Sequence, residues 1–274
     1  MSPQDNLAWR EALAQVPGAA RDVEVTPLAG GIANATFRVA TAEGTFVVRL
    51  HEPCTTELGV DRRREAVLHA AAAAAGLASR VIAADPQGRF LVSEFLEGAP
   101  WQVTDFGNPA RLWELAQTWR QLHDLPAPAV PPLDLAALLD RHVGSIAGLD
   151  PEAGRVLALQ VMTARDTLAR QADAGRAPCI VHGDPTHSNM IGTRPLRLID
   201  WEYAAVADPL SDVACLLAYY PQVLPHGRLL LQGCGLAGSV TVATLEDLAC
   251  VYRLAADLWY RRLELARRHP PPAH

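Results

Sequence analysis

The sequence predicts an α+β protein in two lobes: a small, β-rich N-terminal lobe over residues 1–97 and a larger, mainly helical C-terminal lobe over residues 98–274. Three observations predict it. Short apolar runs bounded by turn residues crowd the first third of the chain, as strands do. Longer runs with helical spacing dominate the remainder. The change of character falls at Gly98-Ala99-Pro100, a natural break in a chain long enough for two lobes.

Residues 4–15 read as a short amphipathic helix. Residues 23–27, 35–40 and 45–50 read as three strands, with Gly30-Gly31 in the first turn and Glu43-Gly44 in the second. A helix follows over residues 61–75, with Asp61 as N-cap and Gly76 as its stop. Its six consecutive alanines are the best helix formers available and allow close packing. Residues 80–84 and 89–95 give two further strands around the turn Asp85-Pro86-Gln87-Gly88. Beyond the break, helices are predicted over 109–123, 134–147 and 151–173, with a proline-rich linker at 125–132. Two short strands, 179–181 and 196–199, are expected to pair as a hairpin, and helices at 209–220, 222–232 and 244–268 complete the chain.

Composition narrows the functional classes. Half of the residues are apolar, a fifth are charged and the net charge is −6, which disfavours a nucleic-acid partner and leans towards a cationic small substrate. The five cysteines are odd in number and never in a C-x-x-C pair, which argues against a disulfide framework and fits a reducing cytoplasm. The N-terminal residues carry no signal-peptide core, and no apolar run is long enough to span a bilayer. Oligomeric state cannot be read from these features. The chain has no lysine; its cations are 24 arginines and the histidines. A Walker-A lysine and a Schiff-base lysine are thereby excluded, so any phosphate-binding cation must be an arginine.

The segment His182-Gly183-Asp184-Pro185-Thr186-His187-Ser188-Asn189, followed by Leu198-Ile199-Asp200-Trp201-Glu202-Tyr203, carries the strongest chemical signal. It places Asp184, Asn189 and Asp200 in or beside short apolar strands. Phosphoryl transfer needs one carboxylate to accept or orient a hydroxyl, and oxygen ligands for Mg²⁺ on ATP. Asp184 fits the first role; Asn189 and Asp200 fit the second, because a hard cation takes oxygen donors. His182 reads as structural. His187, with His182, Asp184 and Asp200, also permits a metal-hydrolase reading, against which the other histidines are scattered; otherwise it is a solvent-facing loop residue.

Around this motif, Gly30-Gly31-Ile32-Ala33-Asn34 is a candidate phosphate cover, with backbone N–H groups turned to the phosphates. Arg49 lies inside the apolar strand Phe46–Leu50 and needs a partner if buried, for which Glu65 on the following helix is placed. Trp201, Glu202, Tyr203 and Trp259 are candidate walls of an acidic, aromatic acceptor pocket for an organic cation. Asp208 and Asp212 read as helix-start residues serving caps and dipole.

Taken together, these segments resemble the choline/ethanolamine kinase and aminoglycoside phosphotransferase superfamily over nearly the whole chain. Leu28–Val39 is similar to that family's nucleotide loop and Phe46–Leu50 to its phosphate-binding strand. His182–Asn189 resembles its catalytic loop and Leu198–Ala204 its metal-binding strand, the latter closest to the choline, ethanolamine and thiamine kinase branch. The resemblance implies a protein-kinase-like fold and the cofactors ATP and Mg²⁺. It also implies Asp184 as base, Asn189 and Asp200 as metal ligands, and Glu202 near an acceptor cation. By the same analogy, the strand exit at Glu94 and Leu96 offers backbone groups to adenine. The implied reaction is phosphorylation of a small, cationic alcohol, choline or ethanolamine first and thiamine next; an aminoglycoside or sugar acceptor, or a nucleotide-binding pseudokinase, are the alternatives. A protein substrate is disfavoured, because no long activation segment fits between Asp200 and the helix near Pro209.

Overall fold

An antiparallel sheet forms because residues 24–94 supply five runs of strand-forming residues separated by turns. In the computed structural model the described residues are 7–28, 34–52, 58–172, 174–192, 195–238 and 240–268. Gly30 and Gly31 lie outside them. The chain divides into two compact units, residues 1–100 with 190–202, and residues 101–189 with 203–274.

The first unit opens with α1 (Leu7–Leu13), followed by β1 (Glu24–Leu28), β2 (Asn34–Thr41) and β3 (Gly44–His51). Then come α2 (Arg62–Ala74), β4 (Val81–Ala84) and β5 (Phe90–Glu94). Sheet order is β1-β2-β3-β5-β4, every neighbour antiparallel. Register pairs Phe37 with Val48 and Arg49 with Leu91. The period of two puts Phe46, Val48 and Leu50 on one face, where they pack with Phe37, Val39, Phe90, Val92 and the α1 residues Trp9 and Ala12. Trp9 meets Phe37 edge-on, ring centroids 4.8 Å apart. The same alternation sends Arg49 to the opposite face. Asp61 caps α2, accepting from the amides of Arg63 and Arg64 at 3.0 Å each, and Gly76, at φ +75°, follows its end.

The second unit contains α3 (Pro109–His123), α4 (Leu135–Leu149), α5 (Pro151–Ala172) and β6 (Cys179–Val181). After β7 (Met190–Ile191) and β8 (Arg197–Leu198), which belong to the first unit, it resumes with β9 (Ala205–Ala207), α6 (Leu210–Tyr219), α7 (Gly227–Gly233) and α8 (Val242–Arg268). The apolar stripes of α4, α5 and α8 close on one another through Leu139, Ile146, Leu157, Val161, Val251 and Leu258. Gly154 lets α5 approach Ala147 of α4 so closely that a Cβ would collide.

The predicted hairpin between residues 179–181 and 196–199 does not form. β6 pairs with β9, and β8 pairs with β7. Residues 190–191 lie a short connection away from 197–198, so closing that pair costs little chain entropy. Cys179 and Val181 instead bury themselves with Ala205. The predicted helix over 222–232 divides into a 3-10 turn at Pro221–His226 and α7. No helix among the described residues is long and apolar enough to cross a membrane.

Candidate active site

In the first unit, one buried charge cluster gathers five of the predicted residues: Asn34, Arg49, Glu65, Asp200 and Glu202. Arg49 on β3 pairs with Glu65 on α2 and with Asp200, which follows β8. Glu65 also accepts from Arg62, one turn earlier on α2, at 2.8 Å. Arg62 reaches on to Glu202 at 3.0 Å and to the side-chain Oδ1 of Asn34 at 3.0 Å. The Asn34 amide nitrogen donates to Glu202 at 2.8 Å, which closes the ring. Glu65 is fully buried and Arg62 nearly so, whereas the Asp200 side chain is 35 % exposed and is the open member. Burial lowers the Arg62 pKa, an effect opposed chiefly by the neighbouring Glu202 carboxylate. Arginine nonetheless stays protonated, which suits it to such a site.

Asp200 has φ +63° and is the one non-glycine residue in that region among the described residues. Backbone strain of this kind concentrates where a side chain must be aimed. The neighbouring Trp201 donates its indole N–H to Leu198 O at 3.0 Å, and its ring stacks on His69 at 5.9 Å.

This geometry corrects several expectations. Trp201 is 0 % exposed and presents no face to an acceptor. Glu202 is spent on Arg62 and Asn34 rather than open to a cationic ligand. Both ends of the Asn34 amide are likewise engaged, so it anchors the start of β2 instead of facing a nucleotide. The Glu94 amide donates to Arg80 O at 2.9 Å, so that N–H is not offered to adenine, and its carboxylate pairs with Arg80; Leu96 is half-buried beyond the strand end. Arg62 was missed by the sequence reading, hidden in the run Arg62-Arg63-Arg64 at the helix start, where charges are ordinary.

In the second unit, the loop after β6 is built around Asp184. The Asn189 amide nitrogen donates to the Asp184 carboxylate at 2.8 Å and to its carbonyl at 3.1 Å. His182 takes the Asp184 amide on Nδ1 at 3.3 Å, a structural use of the ring. Gly183 has φ +77°, and a Cβ there would strike the Tyr203 carbonyl oxygen, so glycine is required. Asp212, on the first turn of α6 and 0 % exposed, receives the amides of His182 at 3.2 Å and Gly183 at 2.9 Å, and His123 Nε2 at 3.0 Å. It is therefore a loop clamp, beyond the helix-start role predicted for it. Pro209 is the N-cap of α6; Asp208, one residue before it, accepts from the Leu210 amide at 2.9 Å and pairs with Arg176 at 2.7 Å.

His187 is half-buried rather than solvent-facing, its Nδ1 bonded to the Tyr220 hydroxyl at 2.7 Å. Burial raises the Cys215 thiol pKa well above its usual value, aided by the Asp184 and Asp212 charges, so Cys215 itself stays protonated. Tyr203 and Trp259 meet edge-on at 6.1 Å, and Tyr260 adds a third ring 5.1 Å from Trp259. Among the described residues there is no group of three or more His, Cys, Asp or Glu that could hold a metal ion. The Asn189 amide nitrogen is committed to Asp184. In the first unit, the Asp200 carboxylate is partly exposed and paired with Arg49.

A β-rich unit whose strand arginine pairs with a helix glutamate, and a helical unit carrying an Asp-to-Asn loop, are the parts of a phosphoryl-transfer enzyme of the kinase type. Residues 24–233 match the model of the phosphotransferase enzyme family, APH, and the chain belongs to that family. Its fold is similar to a choline/ethanolamine kinase family protein from Mesorhizobium loti, with a TM-score of 0.71 and 22 % identity over 97 % of this chain and 90 % of that one. It is also similar to the ADP-bound aminoglycoside phosphotransferase APH(2'')-Ib, with a TM-score of 0.62 and 18 % identity over 98 % of this chain and 93 % of that one. At these identities the likeness is one of fold. Protein StrN of Streptomyces griseus is 38 % identical over 82 residues, which span 30 % of this chain and 23 % of that protein's length.

Proposed function

We propose that the protein is a small-molecule kinase that transfers the γ-phosphoryl group of ATP to the hydroxyl of a metabolite, with Asp184 as catalytic base. The observation that carries this reading is the loop itself: Asn189 orients the Asp184 carboxylate while Asp212 pins the two residues before it. A preset carboxylate of this kind accepts the acceptor hydroxyl's proton as its oxygen bonds to the γ-phosphorus. The bond from that phosphorus to the β,γ-bridging oxygen breaks, and ADP leaves. Asn189 and Asp200 would hold Mg²⁺, which supplies charge neutralisation on the phosphate oxygens when bound. Arg49, oriented by Glu65, is the phosphate cation in a chain without lysine. The backbone around Leu96 is the adenine contact.

For the acceptor, Tyr203 and Trp259 favour a cationic alcohol through their ring faces, choline or ethanolamine first and thiamine next. A second reading, an aminoglycoside or sugar acceptor, gains support from the engagement of Glu202 by Arg62, which removes one anion from the acceptor side.

A coupled ADP-release assay over choline, ethanolamine, thiamine, aminoglycosides and amino sugars, with Mg²⁺, tests both. Turnover of choline or ethanolamine is expected, and Asp184→Ala should lower it by about 10²–10⁴-fold. Turnover of only an aminoglycoside or hexose would reverse the order of acceptors. ATP binding without transfer to any acceptor, or near-normal turnover by Asp184→Ala, would refute the assignment.

A further inference from the structure

Helix α5 has two faces, and the kinase reading uses neither. Its inner face, Leu157, Val161 and Ala164, is buried against α4 and α8. Its outer face carries three of the most exposed large apolar residues among the described residues: Val156 at 57 %, Leu159 at 67 % and Met162 at 62 %. Exposed apolar groups on one helix face mark a contact surface. Leu159 and Met162 lie on the pole opposite the buried stripe, in line with Arg155 and Asp166. The steps of four, three and four residues make this a straight seam along a helix of 22 residues, about 33 Å long.

The order of that seam decides its partner. Arg155 and Asp166 stand equally far from the midpoint between Leu159 and Met162, with opposite charge, and both are exposed. Among the described residues neither pairs with an opposite charge of its own chain, whereas the adjacent Arg165 is already paired with Asp140. Reversing the helix end for end therefore sets Arg155 against Asp166, Leu159 against Met162, and each again on the other side. Glu152 and Arg170, one turn further out, fall within one residue of the same match. A surface complementary to its own reversed copy is the mark of a two-fold interface.

We propose that a second copy of this chain docks there, α5 against α5 antiparallel, with Leu159 and Met162 at the centre and Arg155–Asp166 pairs on both flanks. A single helix pair buries less than a standard interface, so the dimer is concentration-dependent.

Sedimentation equilibrium on the full chain at about 1–200 µM tests this. The mass should rise from 29.5 kDa towards twice that value. Leu159→Glu should weaken association by at least about tenfold, with its circular dichroism unchanged because the site is exposed. Asp166→Arg alone should weaken it on the order of tenfold, since two like-charge contacts replace two attractive ones. Adding Arg155→Asp to that variant should restore association to within about threefold of the parent. A monomer throughout the range, a dimer indifferent to Leu159→Glu, or a double reversal that fails to restore association would overturn the proposal.

Discussion

Replacing Arg62 with methionine removes one charge and keeps the aliphatic stem, so the result reports on the ionic ring of the first unit. Arg62 is 9 % exposed and holds Glu65 at 2.8 Å and Glu202 at 3.0 Å. In the variant Glu65 keeps Arg49, but Glu202, 7 % exposed, is left with the Asn34 amide and no cation from that ring. Breaking a buried pair by removing one partner costs about 3–5 kcal/mol, because the remaining charge stays desolvated. At about 2–4 °C per kcal/mol for a chain of this size class, the melting temperature should fall by about 6–20 °C. Scanning calorimetry measures this directly. Adding Glu202→Gln removes the stranded charge, so the double variant should recover part of the loss, with a coupling of about 1–3 kcal/mol. Arg62→Lys should fall between, since an ammonium supplies the charge without the planar fork that reaches three partners. A fall of less than about 2 °C, or strict additivity of the two substitutions, would refute the claim that Arg62 neutralises Glu202.

Two further outcomes follow from the same geometry. Asp212→Ala strands the loop amides of His182 and Gly183 and the His123 ring, a loss on the order of 3 kcal/mol; kcat should drop far more than nucleotide affinity, which titration calorimetry with ATP separates from turnover. Stability should also decline in acid on account of two histidines. Burial, helped by the Arg49 and Arg62 charges and opposed by Asp85 and the Gly88 carbonyl, pulls His51 down to about 3; burial, then Arg262 and Arg141, pulls His142 to about 4. Both are neutral when folded, while the unfolded chain takes up their protons near pH 6.5. Their contribution is complete above pH 6.5 and is lost as pH falls towards 4 and then 3. His51→Gln should flatten denaturation midpoints measured between pH 7 and 4; an unchanged slope would contradict the shift.

Periodicity and punctuation in the sequence already determined the long elements. The strands of the first sheet, the cap at Asp61, and the helices from 109 to 172 follow from local propensity and from side-chain alternation. The Asp184, Asn189 and Asp200 spacing, the absence of lysine and the pairing of Arg49 with Glu65 were legible for the same reason: each is a short pattern or a charge forced to find a neighbour. Tertiary structure alone decided the rest. Strands of two or three residues, such as Met190–Ile191 and Ala205–Ala207, are too short to show a period, so their pairing was invisible. Arg62 meets Glu202 across 140 residues of chain, and Asn34 meets Glu202 across 168; no spacing rule spans such distances. Folding brought these groups together in a nearly dry place, and there desolvation, which a sequence does not display, determined which charges bind one another and which stay open to a ligand.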